Sequence, residues 1–185
     1  MNKPFVSNAF PIIKVVMPVD LAGVKWGFLS DALLRDIQPY GKLHWRAAEA
    51  WEPMRQKALA DGVEFFKPTS SGDTYRSYQS QETAFRSRYQ LAPIAGASTR
   101  TFEGKKWYLK KGLAQLAVPG TSQHNLGLAV DVHTASGDRL KWMQQNIVSF
   151  GWSWEVIPGE PWHIRLVTGD NPTEAVKNFW ASQVA

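Results

Sequence analysis

Residues 122–131 read Ser122-Gln123-His124-Asn125-Leu126-Gly127-Leu128-Ala129-Val130-Asp131. The later part of this stretch, continued to residue 132, is apolar and partly β-branched, which predicts a buried strand over residues 126–132. Side chains that can bind a metal ion, His124 and Asp131, stand on either side of Gly127. The stretch therefore predicts a turn that leads into a buried strand, with a candidate metal ligand in each.

The chain has four histidines, and their surroundings differ. His44 stands at the start of a predicted amphipathic helix, so a surface or capping role is expected for it. His124 follows a Pro-Gly-Thr-Ser turn, and His163 closes the tetrapeptide Glu-Pro-Trp-His. Together with Asp131 and Glu160, these last two histidines form the residue set of a metal hydrolase.

The absence of cysteine restricts the kind of zinc site that this set can form. Structural zinc is usually closed by four ligands, often thiolates, whereas catalytic zinc uses three nitrogen or oxygen ligands and keeps one position for water. Zinc lowers the pKa of that water to about 7, and a nearby carboxylate can accept its proton. Glu160 is the expected acceptor, and because it precedes Pro161 we expect it outside a helix.

His133 has three open interpretations. Residues 131 and 133 of an extended strand point to the same face, so His133 is a candidate metal ligand, a group that supports a ligand or substrate, or an ordinary polar residue. His124 and His163 are preferred as ligands because of the residues beside them.

Hydrophobic periodicity and turn residues predict an α+β fold with a small antiparallel sheet flanked by helices. Helices are predicted over residues 43–60, 79–90, 137–150 and 173–182. Strands are predicted over residues 63–66, 126–132, 152–156 and 162–167, and a loop over residues 92–101. Since no repeat or linker divides the chain, we predict a single domain over residues 1–185. Its N-terminal part, residues 1–40, has no clear pattern, and an irregular or short-strand segment is expected over residues 1–25.

The composition indicates a globular protein with a basic surface. Nine Trp, nine Phe and five Tyr among 185 residues supply enough apolar surface for a core without disulfides. The formal net charge of +5 favours contact with a polyanion such as nucleic acid, anionic lipid or an acidic cell wall. Lysines 105, 106, 110 and 111 flank Trp107 and Tyr108 in a cluster expected on a solvated loop or helix face, with a polyanion contact as the alternative.

Three blocks of the sequence resemble a known family. Residues 122–131 resemble the S-x-H-x-x-G-x-A-x-D motif of zinc D-alanyl-D-alanine carboxypeptidases and related peptidoglycan peptidases of the VanY/VanX type. Glu160-Pro161-Trp162-His163 resembles their E-x-W-H motif, and residues 75–81, Tyr-Arg-Ser-Tyr-Gln-Ser-Gln, resemble their Y-R-S-x-x-x-Q segment. The resemblance spans about residues 40–167 and implies the Hedgehog-like zinc fold of these peptidases.

The resemblance implies a role for each matching residue of the metal centre. His124, Asp131 and His163 would bind Zn2+. Glu160 would act as the general base that activates water and then protonates the leaving amine.

The resemblance also implies three residues that act on the substrate. Arg76 would stabilise the developing oxyanion or bind a substrate carboxylate, whereas without the motif a structural ion pair would be the better interpretation. Ser122 and Gln81 would donate or accept hydrogen bonds with the substrate.

The function expected from the resemblance is hydrolysis of an amide bond in peptidoglycan stem peptides by a cell-wall lytic enzyme of the D-Ala-D-Ala carboxypeptidase or endopeptidase type. Three alternatives stay open: an endolysin of the same fold that cleaves between L-Ala and D-Glu, a zinc-containing binding module without turnover, and a nucleic-acid binder suggested by the charge. Relatives that cleave between L-Ala and D-Glu typically carry Asp at the position of Glu160. The glutamate therefore favours the D,D-carboxypeptidase branch.

No signal peptide and no transmembrane helix is predicted, although peptidoglycan lies outside the membrane. A phage lysin, a virion-associated enzyme and a cytoplasmic dipeptidase are the three routes that would reconcile these expectations, and a phage lysin is favoured. The expected partners are stem peptides and the anionic cell wall, without nucleic acid or membrane insertion. The protein is expected to be a monomer.

Overall fold

The computed structural model describes residues 10–184, which form four α-helices and eight short strands. The helices are α1 (Trp45–Ala60), α2 (Tyr78–Arg88), α3 (Gly137–Asn146) and α4 (Glu174–Ser182). The strands are β1 (Leu34–Asp36), β2 (Lys42–His44), β3 (Tyr89–Gln90), β4 (Thr99–Phe102), β5 (Lys105–Leu109), β6 (Ala129–Asp131), β7 (Trp152–Trp154) and β8 (His163–Leu166). This arrangement confirms the predicted α+β class.

The strands form three small antiparallel sheets, whereas one sheet was predicted. β1 pairs with β2, β5 lies between β3 and β4, and β8 lies between β6 and β7. The first two sheets are local: β1 and β2 lie within residues 34–44, and β3, β4 and β5 lie within residues 89–109. The sheet of β6, β8 and β7 carries the candidate site.

The main core packs α1 against the apolar face of this third sheet. The indole of Trp51 in α1 lies 5.6 Å from the ring of Phe66 and 6.1 Å from that of Trp152, measured between centroids. Phe66 in turn contacts Trp142 of α3 at 5.1 Å. All four rings are buried, so a continuous aromatic cluster fixes both helices to the sheet.

Alternation along the strands gives the third sheet one apolar and one polar face. The buried residues Val130, Trp152, Trp154, Ile164 and Leu166 form the face that joins the core. The opposite face carries Asp131, Ser153, His163 and Arg165. The polar face of this sheet therefore holds two of the predicted metal ligands.

A second aromatic cluster lies under the sheet of β3, β5 and β4. Phe85 of α2 stacks on Tyr89 at 4.5 Å and contacts Phe102 and Trp107 edge-on. Residues 105–109 form a strand rather than the predicted loop or helix face, because Trp107 is buried in this cluster while Lys105 and Lys106 remain exposed.

Several predicted element bounds were wrong. The predicted strand over residues 63–66 is a turn in which Phe65 adopts a positive φ of 54° and leaves its ring exposed. The predicted strand over residues 126–132 is shorter, because residues 123–126 form a 3-10 turn first. Helix α1 starts at Trp45 rather than residue 43 since the two preceding residues belong to β2, and α3 gives way to a 3-10 turn over residues 147–150.

The chain before β1 is mostly irregular, as expected for residues 10–25 of the predicted N-terminal segment. Its backbone pairs briefly with the end of the third sheet, where Val16 N–H donates to the carbonyl of Val167 at 3.0 Å. The prediction for residues 1–9 lies outside the described residues. Within residues 10–184, no helix combines the length and apolarity needed to cross a membrane.

Candidate active site

Asp131 and His163 meet because their strands pair in register. They are direct partners across the antiparallel pair of β6 and β8, and Asp131 Oδ1 lies 2.8 Å from His163 Nδ1. His124 reaches the same oxygen from the 3-10 turn, with Nε2 at 3.2 Å. One ligand atom from each of the three residues lies within 4.8 Å of the others, so the structure brings all three predicted metal ligands together.

The turn that carries His124 is held by side chains of the same motif. Ser122 caps it, since its Oγ accepts from the backbone N–H of His124 at 3.3 Å. Asn125 Oδ1 accepts from the backbone N–H of Ser122 in return, which completes a capping box. The buried amide of Asn125 also donates to the carbonyl of Arg76 at 2.7 Å. The motif therefore fixes both its own turn and the neighbouring segment.

Hydrogen bonds on the far edges of both imidazoles set their tautomers. His124 Nδ1 lies 2.8 Å from the carbonyl of Thr74, and because a carbonyl only accepts, this nitrogen carries a proton. His163 Nε2 lies 3.0 Å from a carboxylate oxygen of Glu155, which likewise requires a proton on Nε2. In the neutral form of each ring, the lone pair then points from His124 Nε2 and His163 Nδ1 toward Asp131.

The electrostatics of the cluster are those of a strongly coupled buried site. Burial by itself would lower the pKa of His163, but hydrogen bonds to Asp131 and Glu155 outweigh it and raise the pKa to about 9. Burial likewise opposes ionisation of Asp131, yet the two imidazoles hold its pKa well below the usual range. An anionic carboxylate between two inward-facing nitrogens is the arrangement that favours a cation.

These donors fit a divalent metal ion such as zinc. Two imidazole nitrogens and one carboxylate oxygen are the three-ligand set of an open zinc site, and each imidazole has the outer hydrogen-bond partner that such ligands need.

Arg76 lies beside His124 because their backbones are hydrogen-bonded. The N–H of Arg76 donates to the carbonyl of His124 at 3.0 Å. Its side chain donates through Nε to the carbonyl of Gly72 and through Nη1 to Gln81, and among residues 10–184 Nη2 has no protein partner. Burial lowers the pKa of Arg76 and the charge of Asp131 raises it, so the guanidinium lies within electrostatic reach of the metal cluster.

Gln81 has partners other than the predicted ones. Its side chain is fully buried in α2, where Oε1 accepts from Arg76 at 3.0 Å and Nε2 donates to the carbonyl of Ala117 at 2.7 Å. Both ends of the amide are therefore hydrogen-bonded within the protein, and Gln81 holds the side chain of Arg76 in place.

Glu160 lies in the turn between β7 and β8, next to His163. The carbonyl of Glu160 accepts from the N–H of His163 at 3.1 Å, and its own N–H donates to the carbonyl of Val156 at 2.9 Å. The side chain is half-buried, and its carboxylate has no hydrogen bond or ion pair within the described part of the chain. The backbone of Glu160 is held while its carboxylate is left available.

The two remaining histidines lie outside the metal cluster. His133 is half-buried just after β6, where its N–H donates to the carbonyl of Lys67, and it is not among the clustered ligands; the ligand interpretation is therefore wrong for it in this structure. His44 is the predicted cap of α1, since its Nδ1 accepts from the N–H of Arg46 at 3.4 Å. It is not a surface residue, because its side chain is fully buried beside Asp20.

Glu155 is a site residue that the sequence analysis missed. It contacts His163 at 3.0 Å and Arg165 Nη1 at 2.8 Å. The sequence contained part of this information, because residues 163 and 165 of the predicted strand point to the same face. Only the pairing register of β7 and β8, however, shows that Glu155 stands beside them.

Comparison with known proteins identifies a family for this chain. Residues 41–169 match the family model described as VanY, D-alanyl-D-alanine carboxypeptidase. A D-alanyl-D-alanine carboxypeptidase from Enterococcus faecalis is 27% identical over 154 residues, which cover 74% of this chain and 53% of the relative. The chain thus spans about half the length of that relative.

Two solved structures share the fold. One is an alanine mutant of the vancomycin resistance D,D-pentapeptidase VanY from the VanB-type resistance cassette in complex with Zn(II); the other is VanYB in complex with D-alanine-D-alanine. Both are 24% identical to this chain, with a TM-score of 0.53. The matches cover 80% and 81% of this chain and 83% of each of the solved chains.

Proposed function

Because the chain belongs to the VanY family of D-alanyl-D-alanine carboxypeptidases, we propose that it is a zinc-dependent peptidase that hydrolyses an amide bond in peptidoglycan stem peptides. The observation that carries the proposal is the convergence of His124, Asp131 and His163 on one point, with the backbone of Arg76 hydrogen-bonded to that of His124. A solved relative of the same fold contains Zn(II), and another contains D-alanine-D-alanine.

In this proposal His124 Nε2, Asp131 and His163 Nδ1 hold the metal ion. When bound, zinc supplies a Lewis acid that polarises the scissile carbonyl and lowers the pKa of water to about 7. The protein contributes the fixed orientation of the three donors, because each imidazole is locked by the hydrogen bond on its far edge.

Glu160 moves the proton in this scheme. Its free carboxylate accepts a proton from the attacking water as the new C–O bond forms at the amide carbon. It then donates that proton to the amide nitrogen as the C–N bond breaks, so that a carboxylate and an amine leave. Its backbone carbonyl accepts from the N–H of His163, so the residue is held on the turn that leads into this ligand.

Arg76 and Ser122 act on the substrate. The planar fork of Arg76 suits either the oxyanion that develops on the carbonyl oxygen or the terminal carboxylate of a D-Ala-D-Ala stem. Ser122 uses its oxygen as an acceptor for the N–H of His124, so its O–H proton is free to donate to the substrate. Gln81 fixes Arg76 through their hydrogen bond.

Cleavage between the two D-alanines is the bond that we assign. Glu160 has the identity that the D,D-carboxypeptidase branch carries, and the related VanYB structure contains D-alanine-D-alanine. Action as a cell-wall lytic enzyme would require the endopeptidase form of this activity, because release of a terminal D-Ala leaves the cross-links intact. Contact with the wall is supported by the net charge of +5 and the exposed lysines of β5. The phage-lysin assignment and the monomeric state stay predictions.

The test is digestion of purified muropeptides followed by mass spectrometry, with and without chelator and with zinc added back. We expect release of terminal D-Ala that stops on chelation and returns with zinc. Release of fragments cut between L-Ala and D-Glu would establish the endolysin alternative. Zinc binding without any cleavage would establish the binding module, and undiminished digestion after metal removal would overturn the mechanism.

A further inference from the structure

The polar face of the third sheet continues beyond the metal ligands to Glu155 and Arg165, and the proposed mechanism uses only the hydrogen bond between His163 and Glu155. We infer that Glu155 is a positioning residue for His163, and that Arg165 and the backbone of Ile13 hold Glu155 in place. The inference rests on the proposed function, because it concerns how a metal ligand is presented.

Strand register places Glu155 beside His163. Ser153 pairs with Arg165 and Trp154 pairs with Ile164 in the antiparallel ladder of β7 and β8. Glu155 directly follows the last residue of β7, and its carboxylate lies 3.0 Å from His163 Nε2. The polar side chains of this pair therefore lie on one face of the sheet, within reach of each other.

Both carboxylate oxygens of Glu155 are in use. Oε2 lies 3.0 Å from His163 Nε2, and Oε1 lies 2.8 Å from Arg165 Nη1. Two contacts in different directions fix the plane of the carboxylate, so the orientation of the group that accepts the imidazole proton is set by Arg165.

The consequence for His163 is a fixed tautomer. Since a carboxylate can only accept, the proton of the neutral ring stays on Nε2, and the lone pair stays on Nδ1, the nitrogen that faces Asp131 at 2.8 Å. A metal-binding histidine whose other N–H donates to a carboxylate is both oriented and more basic than one without this partner. The corresponding partner of His124 is an uncharged and therefore weaker acceptor, the carbonyl of Thr74 at 2.8 Å from Nδ1.

Glu155 cannot take the proton-transfer role of Glu160. Nδ1 and Nε2 lie on opposite edges of the imidazole ring, so a carboxylate bonded to Nε2 lies across the ring from the point where the three ligands converge. Glu155, bonded to the outer edge of the His163 ring, therefore has a task separate from the proton transfer proposed for Glu160.

The N-terminal segment closes the chain of contacts. Arg165 Nη2 donates to the carbonyl of Ile13 at 3.2 Å, and the N–H of Ile13 donates to Oγ of the buried Ser153 at 2.9 Å. Residue 13 lies outside the matched range 41–169, so a segment beyond the shared family region supports the ligand in this protein.

The experiment measures zinc affinity, by competition with a chromophoric chelator, for the wild type and for Glu155→Gln, Glu155→Ala and Arg165→Met. We expect Glu155→Ala to weaken zinc binding by about 10- to 100-fold. Glu155→Gln, which keeps an acceptor of the same size but no charge, should fall between Glu155→Ala and the wild type. Glu174→Gln, an exposed glutamate at the start of α4, is the matched control and should bind zinc like the wild type.

A second readout separates positioning from general loss of structure. In zinc-loaded protein labelled with 15N-histidine, we expect the ring proton of His163 on Nε2 in the wild type, and its signal should shift or broaden by exchange in Glu155→Ala. Unchanged affinity and an unchanged His163 signal in Glu155→Ala would overturn the inference while leaving the proposed function intact. A wild type that binds no zinc would instead overturn the proposed function.

Discussion

Gly127 and His44 lie so close together that a Cβ atom on residue 127 would fall 2.5 Å from the backbone nitrogen of His44. Gly127 also has a positive φ of 65°, and its carbonyl accepts from the N–H of His44 at 3.0 Å. The glycine thus ends the turn that carries His124 and lets that turn pack directly on β2. The close packing of the His124 turn against β2 therefore depends on the absence of a side chain at residue 127.

Replacing Gly127 with alanine is expected to lower the free energy of unfolding by about 2–5 kcal/mol, from left-handed backbone strain together with the close contact. Zinc affinity should fall as well, because the turn of His124 is displaced. Denaturant unfolding and chelator competition measure the two effects. Gly112→Ala is the control, since Gly112 has a φ of 78° but open space around it, and it should show the strain alone. Equal losses in the two variants would contradict the role of close packing.

Replacing Glu160 with glutamine is expected to reduce kcat by about 10²- to 10⁴-fold, because the side chain can no longer accept and return a proton. Zinc affinity should stay near that of the wild type, since Glu160 is not one of the clustered ligands. Steady-state kinetics on a D-Ala-D-Ala peptide, together with metal analysis, test both statements. A fully active Glu160→Gln variant would remove Glu160 from the mechanism.

Replacing Arg76 with lysine is expected to lower kcat/KM by about 10²- to 10³-fold, since a lysine lacks the planar fork of donors. A substrate with an amidated C-terminus decides which group the arginine binds. If Arg76 binds the terminal carboxylate, the variant and the wild type should differ little on the amide; if it binds the oxyanion, the difference should persist. Arg86→Lys on the exposed side of α2 is the control, and it should leave kcat/KM unchanged.

Asp170 should make stability depend on pH in acid. Its pKa is lowered, first by the hydrogen bond from the backbone of Val19 and then by Arg46, against an opposing effect of burial. A lowered pKa stabilises the fold above the unfolded-state pKa of about 3.9 and loses that contribution as pH falls through the folded value.

The Tm of the wild type is therefore expected to exceed that of Asp170→Asn by the largest amount near neutral pH, and this difference should shrink below about pH 4. Thermal unfolding at a series of pH values measures it. Asp138→Asn, at the exposed start of α3, controls for the loss of one carboxylate. A Tm difference that grows on acidification would contradict the assigned contacts.

Charge reversal at Lys105 and Lys106 is expected to weaken sedimentation with purified cell walls while leaving cleavage of a small soluble peptide unchanged. Both lysines are exposed on β5, away from the metal ligands in sequence and on a different sheet. Binding of the wild type should decrease with rising salt, as for any surface electrostatic contact. Wall binding that is indifferent to salt and to both substitutions would contradict this role.

The metal ligands could be predicted from sequence because the residues that do chemistry are few. With no cysteine and four histidines, the chain has few candidate metal ligands, and His124, Asp131 and His163 have a recognisable spacing. The structure brings these three together as predicted.

The supporting residues could not be predicted in the same way, because their roles depend on pairings between distant segments. Glu155 supports His163 only through the register of β7 against β8. Gln81 was predicted at the substrate, but α2 turns it inward, where Arg76 and Ala117 take both ends of its amide.

The errors in the predicted elements have a related cause. Residues 63–66 have an apolar run typical of a strand, yet Phe66 is buried against Trp51 and Phe65 points outward from a turn. Side-chain burial in the core outweighed local β propensity at this point.

The second aromatic cluster gives the sheet of β3, β5 and β4 an interior of its own, and Gln81 of α2 connects the Arg76 side chain to the carbonyl of Ala117. Mutations on the outer surface of this hairpin can therefore accumulate without disturbing the ligands of the third sheet. Selection can change such a surface while the cluster of His124, Asp131 and His163 is inherited unchanged. Recombination that exchanges residues 91–98 between relatives would be a direct laboratory version of that evolutionary path.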